Sequence, residues 1–147
     1  MDERIKNTIH LVKLCVGVDS VEGLEAFRAK RRGETGEDFS RHVTRMWPKQ
    51  QDNLLNGGSL YWVIKGEIQA RQEIVRLDEV IGGDGIRRCG IILAPQMVRV
   101  APAVRRPFQG WRYLKPEDAP VDLPQAREGD PEMPPELRAK LAEIGVL

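Results

Sequence analysis

The period of apolar and polar positions changes several times along the chain. Ile9 to Val16 is mostly apolar with Lys13 inserted and stops at Gly17, which predicts a strand. Asp19-Ser20-Val21-Glu22 then offers an Asp-x-x-Glu capping pattern, in which side-chain oxygen meets early helix amides. Val21, Leu24 and Phe27 recur at helical spacing, so a helix is expected over about 20–32, ended by Gly33 and Gly36. Phe39, Arg41, Val43 and Arg45 alternate with Ser40, His42, Thr44 and Met46, as in a short strand. Pro48 suits a first helical turn, so a brief helix should follow to about Leu55 and close at Asn56-Gly57-Gly58. Ser59 to Ile64 is aromatic and β-branched, a strand.

The stretch from Glu67 to Ile81 fits two periods. Ile64, Ile68, Gln72 and Val75 match a helix, yet Gly82-Gly83-Asp84-Gly85 is turn chemistry and Ile86 to Ala94 beyond it is strand-like. A hairpin needs a strand on both sides, which predicts one over about 71–81. Met97 to Val104 and Gly110 to Leu114 add two more. After Lys115, six of the ten prolines mark an extended segment, and Pro135 opens a short helix with Leu137, Leu141 and Ile144 on one face. The expectation is an α+β domain over 1–115, built on a small bent mixed sheet or a barrel with two or three flanking helices. Residues 116–147 form a Pro-rich acidic extension.

Composition narrows the class. A chain of 147 residues with 41% hydrophobic and 31% charged residues has the makeup of one ordinary domain. There is no apolar run near the length of a membrane span, so no membrane partner is expected, and the first eighteen residues lack the small-residue cleavage site of a signal peptide. A cytoplasmic protein is the expectation. Cys15 and Cys89 both sit in apolar runs and read as reduced packing residues. His10 and His42 are far apart and near no cysteine, so no metal site and no cofactor motif can be read.

Charge is where the sequence becomes uneven. Lys and Arg total 23 against 22 acids, but Gly85 to Lys115 holds no Asp or Glu while carrying Arg87, Arg88, Arg99, Arg105, Arg106, Arg112 and Lys115. The segment from Pro116 onward reverses this with eight acids. Residues 41–49 form a second acid-free basic cluster. Arginine favours planar, bidentate contact with phosphate or carboxylate. Trp47, Phe108, Trp111 and Tyr113 lie among these cations, and interleaved arginine and aromatic rings are what a phosphate backbone and stacked bases require. The competing reading places those rings in the core and pairs the arginines with acids of the tail.

Enzyme chemistry is less marked. No Gly-x-Ser-x-Gly elbow, P-loop or Gly-x-Gly-x-x-Gly occurs. His42 is an acid–base candidate, though a packing or surface role suits a single histidine as well. Thr44, Lys49 or Lys65, and Glu67 could together activate a threonine or a water, provided they converge.

Three blocks, HVTRMWPK (42–49), GGSLYWVIKG (57–66) and RRPFQGWRYL (105–114), together with LVKLCVGVDS (11–20), resemble a family of small bacterial proteins known only as a domain of unknown function. The resemblance spans roughly 8–120 and implies no activity. A second resemblance, in YWVIKGEIQARQEIVRLDEV (61–80) and the turn after it, is to PUA-like barrels of the ASCH and EVE branches. It implies a barrel that binds RNA or modified bases. Some ASCH relatives are amidohydrolases using Lys, Thr and Glu, but their glycine-lysine motif near the N-terminus is missing here.

The reading that follows is an RNA- or nucleotide-binding module. Arg45, Lys49, Lys65, Arg71, Arg105, Arg106 and Arg112 would contact phosphates, Trp47 and Trp111 (with Tyr113) would stack, and Gln109 would read a base edge. The alternatives are a small hydrolase acting on a modified nucleoside or amide, and a protein-interaction module whose acidic, Pro-rich tail docks on its own basic face or on a neighbour's. Self-association is left open.

Overall fold

The structure, a computed structural model, describes residues 7–124. In chain order the elements are β1 (His10–Leu14), α1 (Val21–Thr35), β2 (Ser40–Thr44), α2 (Gln51–Leu54), β3 (Ser59–Ile64), β4 (Glu67–Ile81), β5 (Arg87–Leu93), β6 (Val98–Val104) and β7 (Trp111–Leu114), followed by a 3₁₀ turn over Pro116–Asp118. The short helix expected from Pro135, with Leu137, Leu141 and Ile144, falls outside the described residues.

The α+β expectation holds as a seven-stranded mixed sheet with two helices, in the order β2-β5-β4-β3-β1-β7 and with β6 also on β4. The sheet is neither closed nor strongly curled, so the barrel implied by the PUA-like resemblance does not form. One reason lies in the pairing. β1 and β3 run parallel, which requires the α1 crossover, and the far edge of β1 is taken by antiparallel β7. No pairing joins β7 to β2 across the gap, so both remain edge strands.

Long β4 is the hub. Its first half pairs with β3 and β6, its second half with β5, and the register shifts between Ile74 and Arg76 where the partner changes. This strand begins four residues earlier than expected. The β3–β4 connection is a two-residue turn, Lys65-Gly66, with φ of 53° and 80°. Two consecutive positive φ values match the twist of paired strands, and lysine in the first place hides the usual Asn-Gly signal. Gly82 to Gly85 does form the expected β4–β5 turn, closed by Gly85 N donating to Gly82 O at 3.0 Å.

The helix is also shifted. Ser20, not Asp19, caps α1, its side-chain oxygen accepting from Gly23 N at 2.9 Å. Gly33 does not stop the helix. Termination comes at Gly36, whose left-handed φ of 75° lets its N–H reach Arg32 O. The face that α1 turns inward is Val21, Leu24 and Arg28, while Phe27 remains half exposed.

Each side of the sheet has its own core. On the α1 side Leu11, Leu60, Trp62, Ile74, Ile91 and Trp111 pack with Leu24 and Leu54. On the other, Val12, Tyr61, Val63, Ile68, Val100 and Leu114 pack with Phe108 and Ala119. Residues 116–123 lie over this second side. Asp122 bridges to Val100 on the outer edge of β6, and its carboxylate takes a two-pronged ion pair from Arg71 at 2.8 and 2.7 Å. Cys15 and Cys89 are both free thiols. No helix among the described residues is long and apolar enough to cross a membrane.

Candidate functional site

The strand directions gather several loops at one end of the sheet. Parallel β1 and β3 finish there, so residues 15–18 and the Lys65-Gly66 turn are neighbours, tied by Cys15 N donating to Val63 O at 2.9 Å. Antiparallel β7 starts at the same end, opposite Lys13, and Arg105 N donates to Gly66 O at 2.8 Å. The carboxyl ends of parallel strands are where open α/β sheets commonly hold ligands.

A cleft of about 450 Å³ opens there between the end of β1, the inner face of α1 and β2, with Trp62 of β3 in its wall. Lys13, Arg28, Arg31, Arg41 and His42 supply its polar groups, and among the described residues no carboxylate lines it. Arg28 is only 8% exposed. Its Nη1 donates to Arg41 O at 3.0 Å and its guanidinium lies 5.2 Å from the Trp62 ring, yet its Nε has no partner. His42 stands edge-on to Trp62 with ring centroids 5.5 Å apart, and its buried Nε2 is also unpartnered. Burial first, then Lys13 and Arg28, pushes the His42 pKa down to about 4, so its imidazole is neutral at neutral pH. Burial raises the Cys15 thiol against the pull of Arg28 and Lys13, which keeps it protonated. The Trp62 ring is held by its Nε1–H donating to Gln72 Oε1 at 3.1 Å, while Gln72 Nε2 donates to Ala94 O at 3.0 Å.

The residues chosen from sequence fall into three groups. Arg105 and Arg112 come together around Phe108 at the same sheet end, 5.9 and 5.3 Å from its ring, and the backbone of Arg105 is bonded to the turn that carries Lys65. Arg106 and Gln109 are exposed on the same loop, where Gln109 O accepts from Arg112 Nη1 at 2.8 Å. Arg45, Trp47, Lys49 and Trp111 form a second group with a structural task. Trp111 is buried, its Nε1–H donating to Met46 O at 3.0 Å, and Tyr113 Oη accepts from Lys49 N and Gln50 N. These bonds fasten the segment before α2 to β7. Trp47 packs half-buried against the same core under the Arg87 guanidinium, while Arg45 is exposed. Arg71 stands apart on the opposite side, bonded to Asp122 and to Ser59 Oγ.

Thr44 and Glu67 do not share a register. Thr44 lies opposite Cys89, and Cys89 opposite Glu79, which is twelve residues along β4 from Glu67. The cleft residues Lys13, Arg28 and Trp62 escaped the sequence reading, which followed the density of charge along the chain. Their signal was positional. Arg28 falls at the seventh place after Val21, on the apolar stripe of α1, and Lys13 shares the strand face of Leu11 and Cys15, two residues from each. A cation on an inward position is a better marker than a cation in a basic run.

Comparison with protein families finds a match over residues 11–147, described as a protein of unknown function (DUF1489). It extends beyond the 8–120 span of the sequence resemblance, through the C-terminal segment. No curated protein and no solved structure matches the chain.

Proposed function

The chain belongs to the DUF1489 family of proteins of unknown function, a membership that brings no activity with it, and we propose that it binds RNA or a nucleotide through the exposed cations at the carboxyl end of β1 and β3. The observation that carries this reading is selective pairing. Arg87, Arg88 and Arg99 of the acid-free stretch meet Glu79, Asp84 and Glu22 in ion pairs, whereas Arg105, Arg106 and Arg112 meet no carboxylate among the described residues. With Lys65 they leave a cluster of positive charge beside one aromatic ring, Phe108, suited to successive phosphates. Gln109 is exposed on the same loop, within reach of a base edge.

Fluorescence anisotropy with a labelled single-stranded RNA, at low and moderate salt, tests the reading. Binding should weaken steeply with salt, and Arg105→Ala and Arg112→Ala should each flatten the log–log slope by about 0.7. Affinity that is flat in salt, or unchanged in both variants, would sink it. The protein-interaction alternative keeps one supporting observation, the docking of acidic Asp122 on Arg71. Its mark would be a loss of solubility or of a dimer in Asp122→Asn, whereas RNA binding that appears only in that variant would make the segment an autoinhibitory mimic of nucleic acid.

A further inference from the structure

The cleft beside α1 plays no part in the reading above. We propose that it is a binding site for a phosphate monoester carried on an apolar or aromatic body.

Arg28 is the buried cation of the cleft. A guanidinium stays charged in any protein environment, so this buried group cannot escape by losing its proton. Burying a cation with no counter-ion is strongly unfavourable, and a protein retains one where a charge arrives from outside. The fork is also half used, with Nη1 on Arg41 O and Nε on nothing. His42, in the same wall, has a buried Nε2 with no partner among the described residues, a second polar group that this part of the fold leaves unsatisfied.

Charge count separates the candidate anions. Lys13, Arg28 and Arg31 meet no carboxylate among the described residues, and only Arg41 shares one, Glu37 at 3.3 Å. Three uncompensated cations around one space suit a dianion better than a single carboxylate. Shape then says what the dianion is attached to. A bare phosphate would occupy a small part of about 450 Å³, a volume in the range of organic-ligand sites. The mouth of the cleft carries large apolar side chains in the open: Val16 is 86%, Phe27 48% and Val43 41% exposed. An apolar body emerging from the charged end of the cleft would cover them. The Trp62–Gln72–Ala94 chain of bonds holds the inner wall in place before any ligand arrives.

Isothermal titration of the full chain with inorganic phosphate, phenyl phosphate and benzoate tests this. Phenyl phosphate should bind saturably and at least about tenfold more tightly than either other probe. Arg28→Met should weaken it by about tenfold or more, Lys13→Met by less, and Arg28→Lys should recover part of the loss. Phe27→Ala should reduce the preference for phenyl phosphate over phosphate, whereas Arg88→Ala, on the β4–β5 turn, should leave phenyl phosphate binding unchanged. Thermal melts of each variant establish that it is folded. The proposal is overturned if wild type shows no saturable phenyl phosphate binding, if benzoate binds as well, or if folded Arg28→Met and Lys13→Met both bind like wild type. None of these results depends on whether RNA binds the sheet-end cluster.

Discussion

On the β4–β5 hairpin, Arg76, Arg87 and Arg88 each rest against a carboxylate of the same hairpin: Asp78, Glu79 and Asp84. In the cleft, Arg28 is far more deeply buried and has none among the described residues. The contrast is the reverse of what stability alone would produce. Exposed ion pairs contribute little, about 0–1 kcal/mol, and their loss is easily borne. A buried unpaired cation costs several times that, and a well-packed apolar replacement would commonly be as stable or more so. The hairpin arginines are therefore solvated decoration on a twisted ribbon, and the cleft arginine is retained at a cost for what it can hold.

The comparison can be tested on stability alone, beginning where the effect is largest. Trp62→Ala removes the cleft's inner wall and leaves the buried Gln72 Oε1 without its donor. It should cost about 3–5 kcal/mol in denaturant unfolding, because a cavity and an unsatisfied group are made together. Acidification should come next. The folded protein holds the His42 pKa near 4, so the unfolded chain binds more protons between pH 6.5 and about 4. Stability is then full above pH 6.5 and declines through that window, by up to about 1.4 kcal/mol per pH unit for the one proton. His10, lowered by burial and by Arg71, adds a loss of the same sign, so the measure is the difference between wild type and His42→Asn. Asp122, held below its usual range by Arg71, contributes only at lower pH.

Arg28→Met should raise stability by about 1–2 kcal/mol, since it replaces an unpaired buried charge with an apolar side chain of similar length. Destabilisation of that size would instead make the Arg28–Arg41 bond structural and erase the contrast. Smallest of all, Arg76→Gln should move the unfolding free energy by no more than about 0.5 kcal/mol. A loss of several times that would mean that the hairpin pairs support the fold after all.

Much of the fold was legible because its signals are local. Ser59–Ile64 is a strand from composition alone, and the glycines at 82–85 announce the β4–β5 turn. The Lys65-Gly66 turn was not legible, because positive φ at a lysine leaves no mark in the sequence. The acid-free stretch from Gly85 to Lys115 was legible as charge but not as surface. Strand pairing brings Glu79 beside Arg87, and helix packing brings Glu22 and Glu25 beside Arg99, so that, with Asp84 on Arg88, three of the seven cations in an apparently basic block are neutralised. Trp111 and Tyr113 show the same limit, since aromatic rings among arginines suit a stacking surface and a core strand equally until their neighbours are known.

By itself, then, the chain determined its class and most of its elements, since capping, turn chemistry and β-branched runs act within a few residues. It also determined which stretches carry net charge. Only the tertiary structure decided which of those charges remain uncompensated, because compensation depends on partners distant in sequence. The cleft belongs to that second category: β1, α1, β2 and β3 each contribute a wall, and the pairing that assembles them brings Lys13, Arg28 and His42 to one space that no acid among the described residues lines.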